Sequence, residues 1–225
     1  MAYARPAVVV VSAALLAGCA GSGGPRPAGP DLSFFDLQAR LAARAASLVG
    51  HAGEFRVGAE RFAPDCAGFV EAVYEMEGVP LRAMMRQAAP EERSGVAAAF
   101  LAMRAYGAVF GGGGEWPSPG DLVFFDDTYD RNRNGRADDR LTHVGIVEYV
   151  VDGTVVFVHR GGRAVALGAL DPRRPAEASA DGRVLNSPLR AKGARAAGVP
   201  ILAGALFAGY GRIDPARVRG PDSAR

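Results

Sequence analysis

The hydrophobic period changes once along this chain, and that change limits the folds open to it. As far as residue 106 the apolar residues recur at helical spacing. Phe34, Leu37, Leu41, Ala45 and Leu48 predict a helix over 33–49 that stops at Gly50. Asp65 opens a second helix, striped by Phe69, Val70, Val73 and Met76 and ended by Gly78, and a third is expected near 94–106. From residue 121 the pattern is that of strands. Residues 121–125 predict a short strand, and 143–151 and 154–159 predict two more, joined at Asp152-Gly153. Residues 171–200, rich in Pro, Arg and Ala, read as loop. Residues 201–213 read as a last strand, and 214–225 as a polar, frayed tail. Helices followed by strands argue an α+β fold, with N-terminal helices packed on an antiparallel sheet. A 225-residue chain that is 49% hydrophobic is long and apolar enough to build it, which excludes whole-chain disorder.

The first 18 residues read as an address rather than as fold. Arg5 precedes an apolar run over 7–16, too short to span a bilayer, where about 20 residues are needed. The run ends in Leu16-Ala17-Gly18-Cys19, which resembles the bacterial lipobox; an ordinary secretory signal with an incidental cysteine is the alternative. The resemblance implies a signal peptide over 1–18, a lipidated Cys19 and, over 19–32, a flexible Gly/Pro-rich tether. Two or three acyl chains anchor durably where one does not. Ala20 is not the aspartate that marks inner-membrane retention in some bacteria, so the outer membrane is favoured. Lys+Arg of 26 against Asp+Glu of 24 offers no electrostatic case for nucleic acid. With Cys19 lipidated, Cys66 has no intramolecular partner, and a disulfide scaffold is excluded.

Cys66 lies in Pro64-Asp65-Cys66-Ala67-Gly68-Phe69-Val70. Asp65 is a good N-cap, which makes Cys66 the first residue of its helix, where free amides favour a thiolate and can cradle an oxyanion. The bland alternative is a small core residue, since free cysteines are commonly buried. His143 bears on the choice. It opens a strand in Thr142-His143-Val144-Gly145-Ile146-Val147, from which an imidazole reaches a thiol at a helix tip. His159, at the end of the next strand, can fix the His143 tautomer. His51, in a glycine-bounded loop, reads as solvated.

These residues resemble the NlpC family of bacterial cell-wall cysteine peptidases. The family pattern is matched, in order, by Asp65-Cys66-Ala67-Gly68-Phe69-Val70, by Pro119-Gly120-Asp121-Leu122-Val123-Phe124-Phe125, by His143-Val144-Gly145-Ile146-Val147 and by His159. The resemblance covers about 33–165 and implies a papain-like domain over 33–213, with Cys66 as nucleophile, His143 as base and His159 as its orienter. It implies hydrolysis of amide bonds in peptidoglycan stem peptides, typically between D-glutamate and a diamino acid, with no cofactor required. Peptidoglycan peptides and the membrane are then the expected partners of a monomer. Asp65, Ala67 and Phe55 are expected around the oxyanion. Ala67 replaces the usual serine, and Phe55 stands where the family often has a tyrosine whose hydroxyl lies near the oxyanion. A catalytically silent module that binds cell-wall peptide, and a CHAP-type amidase, are the alternatives.

Two further expectations concern loops. Asp130, Asn132, Asn134 and Asp138 occupy positions one, three, five and nine of an EF-hand-like run, with Gly135 at six and Arg136 offering its carbonyl. Position twelve is Leu141 instead of a glutamate, so a weak calcium site and a solvated turn both stand. The hairpin at 152–153 poses a question of parity. A two-residue loop places His143 and His159 on opposite sheet faces; a three-residue loop over 151–153 places them on the same face. Cooperation of the histidines requires the second, and a three-residue loop is expected.

Overall fold

The computed structural model describes residues 32–111, 114–190 and 199–218; the signal segment, Cys19 and almost all of the tether lie outside the described residues. Four helices come early: α1 (Leu32–Ser47), α2 (Cys66–Met76), α3 (Leu81–Ala88) and α4 (Gly95–Tyr106), with a small hairpin of β1 (Phe55–Val57) and β2 (Glu60–Phe62) between the first two. The strands follow: β3 (Gly107–Phe110), β4 (Leu122–Phe125), β5 (His143–Val151), β6 (Thr154–Arg160) and β7 (Val165–Leu170). Short strands β8 (Ser179–Ala180) and β9 (Arg183–Val184), helix α5 (Ala203–Leu206), strand β10 (Phe207–Ile213) and helix α6 (Pro215–Val218) complete the described chain. The fold is α+β, as expected. No helix among the described residues is long and apolar enough to cross a membrane.

Six strands form one antiparallel sheet in the order β3-β10-β4-β5-β6-β7. One face, through Leu122, Phe124, Val144, Ile146 and Val158, packs with Leu37 and Leu41 of α1, Phe69, Val70 and Val73 of α2, and Ala99 and Met103 of α4. The other face, through Val123, Phe125, Val147, Val155 and Phe157, is covered by Ala203 and Leu206 of α5. Burial on both faces explains why β4 reads Leu-Val-Phe-Phe without alternation. The buried Asp121 ahead of β4 ties the layers together. Its carboxylate accepts from Gln38 of α1 at 2.8 Å, from the Ser118 amide at 2.8 Å and from Arg212 of β10 at 2.7 Å.

Several elements differ from the sequence expectation. Helix α3 buries Leu81, Met84 and Met85, a helical i, i+3, i+4 pattern. Strands β3 and β7 form the sheet's two edges, and β8 and β9 lie within the stretch read as loop. The last strand begins at Phe207 because residues 203–206 form α5.

The β5–β6 hairpin corrects the expected three-residue loop. Val151 pairs with Thr154, and Asp152 (φ 49°) and Gly153 (φ 76°) are both left-handed, as a two-residue type I′ turn requires. The parity is changed elsewhere. Tyr149 pairs with Val156, but Val147 pairs with Phe157, so Glu148 is an extra residue, a β-bulge. The bulge lies where β5 leaves its other neighbour: the β4 ladder ends at Leu122–Ile146, and the Val147 amide and carbonyl close it on Asp121 and Gly120. Beyond the bulge Gly145 stands opposite His159, and His143 and His159 share a face.

Candidate active site

Asp65 caps α2 as its sequence predicts: its backbone is extended (φ −126°, ψ −178°) and its carboxylate accepts from the Gly68 amide at 2.8 Å. Gly68 is required by the approach of the preceding chain, since a Cβ there would lie 2.2 Å from the Ala63 carbonyl oxygen. Cys66 is therefore held at the first position of the helix, partly buried, with the backbone amides of Val144, Ala67 and Cys66 itself near enough to favour negative charge on its sulfur. The Val144 amide reaches the sulfur beyond the last β5–β6 pair, Ile146–Val158. It puts the sulfur beside the residue that follows His143.

Burial pushes the Cys66 thiol up to about 11, and the charge of Asp65 adds to the rise; the three amides only moderate it. This corrects the expectation of a thiolate favoured by the helix start. Loss of water around sulfur outweighs the amides. His143 Nε2 and His159 Nδ1 are 2.8 Å apart, with the rings nearly perpendicular at 84°. Burial, and then the neighbouring His159, hold His143 down to about 3, and burial holds His159 down to about 4. Both imidazoles are neutral at physiological pH, and one proton is shared between the facing nitrogens.

Cys66, His143 and His159 line one cleft of about 1100 Å³. Asp65 and Ala67 line it too, together with the start of α4, Pro188-Leu189 and residues of the loop ahead of β5. Phe55 is not among the lining residues. Its ring is buried, 1% exposed, between His51 at 4.9 Å and Phe69 at 5.8 Å, so it does not face the oxyanion region expected for it. His51 is not simply solvated either: its Nε2 lies 3.0 Å from the Glu54 carbonyl.

Two lining residues escaped the sequence reading. Tyr129 presents an exposed phenol to the cleft. Arg160, buried next to His159, donates from Nε to the Pro64 carbonyl at 3.2 Å and from Nη2 to the Ala52 carbonyl at 3.0 Å, tying the end of β6 to the turn before Cys66. Its place in the chain, directly after the candidate orienter, was the available signal.

The Asp130 run forms an exposed loop at the rim. Asp130 accepts from the amides of Asn134 and Gly135 at 3.1 and 2.8 Å, and Asp138 accepts from the side-chain amides of Asn132 and Asn134 at 2.9 Å each. Those amides hold the Asp138 carboxyl below the usual carboxylate range. The Arg136 amide donates to the Asn134 side-chain oxygen at 2.8 Å. At position twelve the Leu141 amide donates to Asp126 at 2.7 Å. Among the described residues no three His, Cys, Asp or Glu side chains form a group that could hold a metal.

No family model matches this chain, and no curated protein matches it. Among solved structures, one from Staphylococcus aureus subsp. aureus Mu50, described as similar to lipoprotein, NLP/P60 family, is 21% identical. The TM-score is 0.34, and the match covers 65% of this chain and 39% of that one. A likeness so slight carries no argument about function.

Proposed function

We propose that this chain is an exported, lipid-anchored cysteine peptidase of papain-like architecture that hydrolyses amide bonds in peptidoglycan stem peptides, of the D-glutamyl–diamino acid type. The observation that carries the reading is the meeting, in one cleft, of Cys66 at a helix start with two hydrogen-bonded imidazoles on adjacent strands. The motif resemblance supports the substrate class, and the lipobox-like segment supports an anchor, with the outer membrane favoured.

The chemistry starts from neutral groups. With Nε2–H of His143 donated to His159 Nδ1, the Nδ1 of His143 is the nitrogen left to take the thiol proton, and His159 carries its own proton on Nε2. Because the thiol is held protonated, its proton passes to His143 as sulfur attacks the carbonyl, rather than beforehand. The S–C bond forms, and the developing oxyanion is met by amides at the start of α2. The imidazolium then returns the proton to the leaving amine as the C–N bond breaks. Water, deprotonated by His143, hydrolyses the thioester and restores the thiol.

The test is incubation of the protein with muropeptides, followed by mass spectrometry. Products cut beside D-glutamate, absent with Cys66→Ala, support the reading; intact muropeptides refute it. The protonated thiol specifically favours a second reading, a module that binds cell-wall peptide without cutting it, and intact but bound peptide is its signature. Products cut at the sugar–peptide amide would instead mark the CHAP-type alternative.

A further inference from the structure

Exposed apolar side chains gather at one end of the molecule. Among the described residues eight large apolar side chains are exposed, and four of them, Trp116, Tyr149, Val151 and Val184, lie around the Asp152-Gly153 turn, each between 41% and 49% exposed. Tyr149 and Val151 project from one face at the end of β5. The Asp152 carboxylate meets Arg183, the residue before Val184, and the Asp152 carbonyl accepts from Nη2 of Arg173 at 3.0 Å. The Arg173 guanidinium in turn lies 5.4 Å from the centre of the Trp116 ring. Apolar residues scattered singly over a surface call for no explanation; four around one turn do.

The ions among them are paired. Arg173 meets Asp171 at 3.0 Å, Arg183 meets Asp152, and Arg212 meets Glu115, the residue before Trp116, at 3.0 Å. What this end offers a partner is a tryptophan, a tyrosine and two valines, edged by arginines whose charge is matched. That is the composition of protein surface at a membrane–water interface, where aromatic rings and arginine stems sit at headgroup level.

The fold sets this end against the cleft and beside the start of the described chain. His143 opens β5 at the cleft and Val151 closes it at the turn, about 26 Å away along the strand. Helix α1 runs alongside. Its Gln38 meets Asp121, which the Val147 amide also reaches, in the middle of β5. Past its other end, the Gly50 amide donates to Val165, which pairs with Arg160 at the cleft. The first turn of α1 therefore points toward the Asp152-Gly153 end, with Leu32 about 9 Å beyond Gln38. Leu32 is thirteen residues from Cys19, a reach of at most about 45 Å.

We propose that this end of the domain, formed by Trp116, Tyr149, Val151 and Val184, rests on the phospholipid surface to which Cys19 is anchored, and so turns the cleft away from it. The proposal rests on the lipid-anchor reading for the identity of the partner. A lipid at Cys19 keeps the start of α1 within a short reach of the membrane, and the second contact becomes intramolecular. A few apolar side chains then suffice where they could not hold a free protein.

Trp116 is the only tryptophan in the chain, so its fluorescence reports this surface alone. The mature chain, residues 19–225 with Cys19→Ser and a hexahistidine tag ahead of it, is held by nickel-chelating lipid on phosphatidylethanolamine–phosphatidylglycerol vesicles, with or without bromine near the headgroup end of the acyl chains. Trp116 emission is expected to shift to the blue and to be quenched about twofold by the brominated lipid, as a ring at headgroup depth implies. Added salt should leave the quenching in place, because the arginines are paired. Val151→Asp and, separately, Val184→Asp, each checked for an unchanged melting temperature, should reduce the quenching by about half or more, since each sets a charge against the acyl boundary. Emission indifferent to bromine, quenching abolished by salt, or quenching untouched by both substitutions would overturn the proposal. A free chain that dimerises through these residues, with Trp116 unquenched, would instead give the surface to a second copy. Acylation of Cys19 in a lipidating bacterial host is scored separately by mass spectrometry: an unacylated Cys19, with Trp116 quenched on the vesicles, removes the natural anchor and leaves the membrane-facing surface standing.

Discussion

The protonation state of Cys66 gives the sharpest test of how this site works. With the thiol raised from 9.0 to about 11, the thiolate fraction at pH 7.5 falls from about 1 in 30 in the unfolded chain to about 1 in 3000 in the folded protein. Alkylation by iodoacetamide follows the thiolate, so the folded protein should react about 100-fold more slowly than the urea-unfolded chain. The rate should climb about tenfold per pH unit from 7 to 10, with no plateau below pH 10. The assay is peptide mapping of Cys66 modification against time across that pH range. His143 is neutral, so His143→Ala removes no stabilising charge and should not push the profile upward. A plateau reached below pH 8.5 in the parent and lost in His143→Ala would reveal a resting thiolate–imidazolium pair. It would refute both the dominance of burial and proton transfer concerted with attack.

Four other outcomes are expected. Gly145→Ala places a Cβ 2.8 Å from the Val158 carbonyl oxygen and 3.2 Å from Cβ of His159. It should cost about 1–3 kcal/mol in urea unfolding and reduce kcat further by moving the two imidazoles apart; a parental kcat would show that their spacing is immaterial. Phe55→Tyr should bury an unpartnered hydroxyl, destabilise by about 1–3 kcal/mol and leave kcat no higher, whereas a gain in kcat would put that ring at the oxyanion. His143 and His159 stay neutral in the folded protein below 6.5 while the unfolded chain protonates, so their contribution to stability is present above pH 6.5 and lost as pH falls towards 4 and 3. The melting temperature should drop less steeply over that window in His143→Gln/His159→Gln than in the parent, and parallel curves would contradict the depressed values. With Asp130 and Asp138 already accepting from the loop's own amides, millimolar calcium is expected to give no calorimetric heat, and heat in the parent that is lost in Asp130→Ala would establish a cation site there.

Much of this protein is legible in its sequence because the signals are local. The helical stripe of 33–49, the cap at Asp65 and the strand period after 121 each depend on neighbours a few residues away, and each became the expected element. So did the Asp152-Gly153 turn, whose two residues take the left-handed backbone that a two-residue hairpin needs. The pattern of α3, in Leu81, Met84 and Met85, is equally local but spans only eight residues, too few for the repeated stripe that marks a longer helix. The edge strands β3 and β7 are marked by no comparable alternation, and they exist because β10 and β6 offer them unpaired backbone.

What only the tertiary structure decided is the parity and the electrostatics of the site. Turn chemistry taken alone puts His143 and His159 on opposite faces, and the extra residue at Glu148 reverses that, five residues from one histidine and eleven from the other. Its position follows from where β5 parts from β4, a relation between strands that no short window of sequence contains. The thiol tells the same story. A cysteine at a helix start reads locally as acidified, because the amides that favour its thiolate are neighbours in the chain. The water it loses is displaced by the tertiary packing around it, which brings Val144, nearly eighty residues away, to its sulfur, and desolvation, which depends on everything packed around a group, outweighs the few dipoles that the local sequence provides.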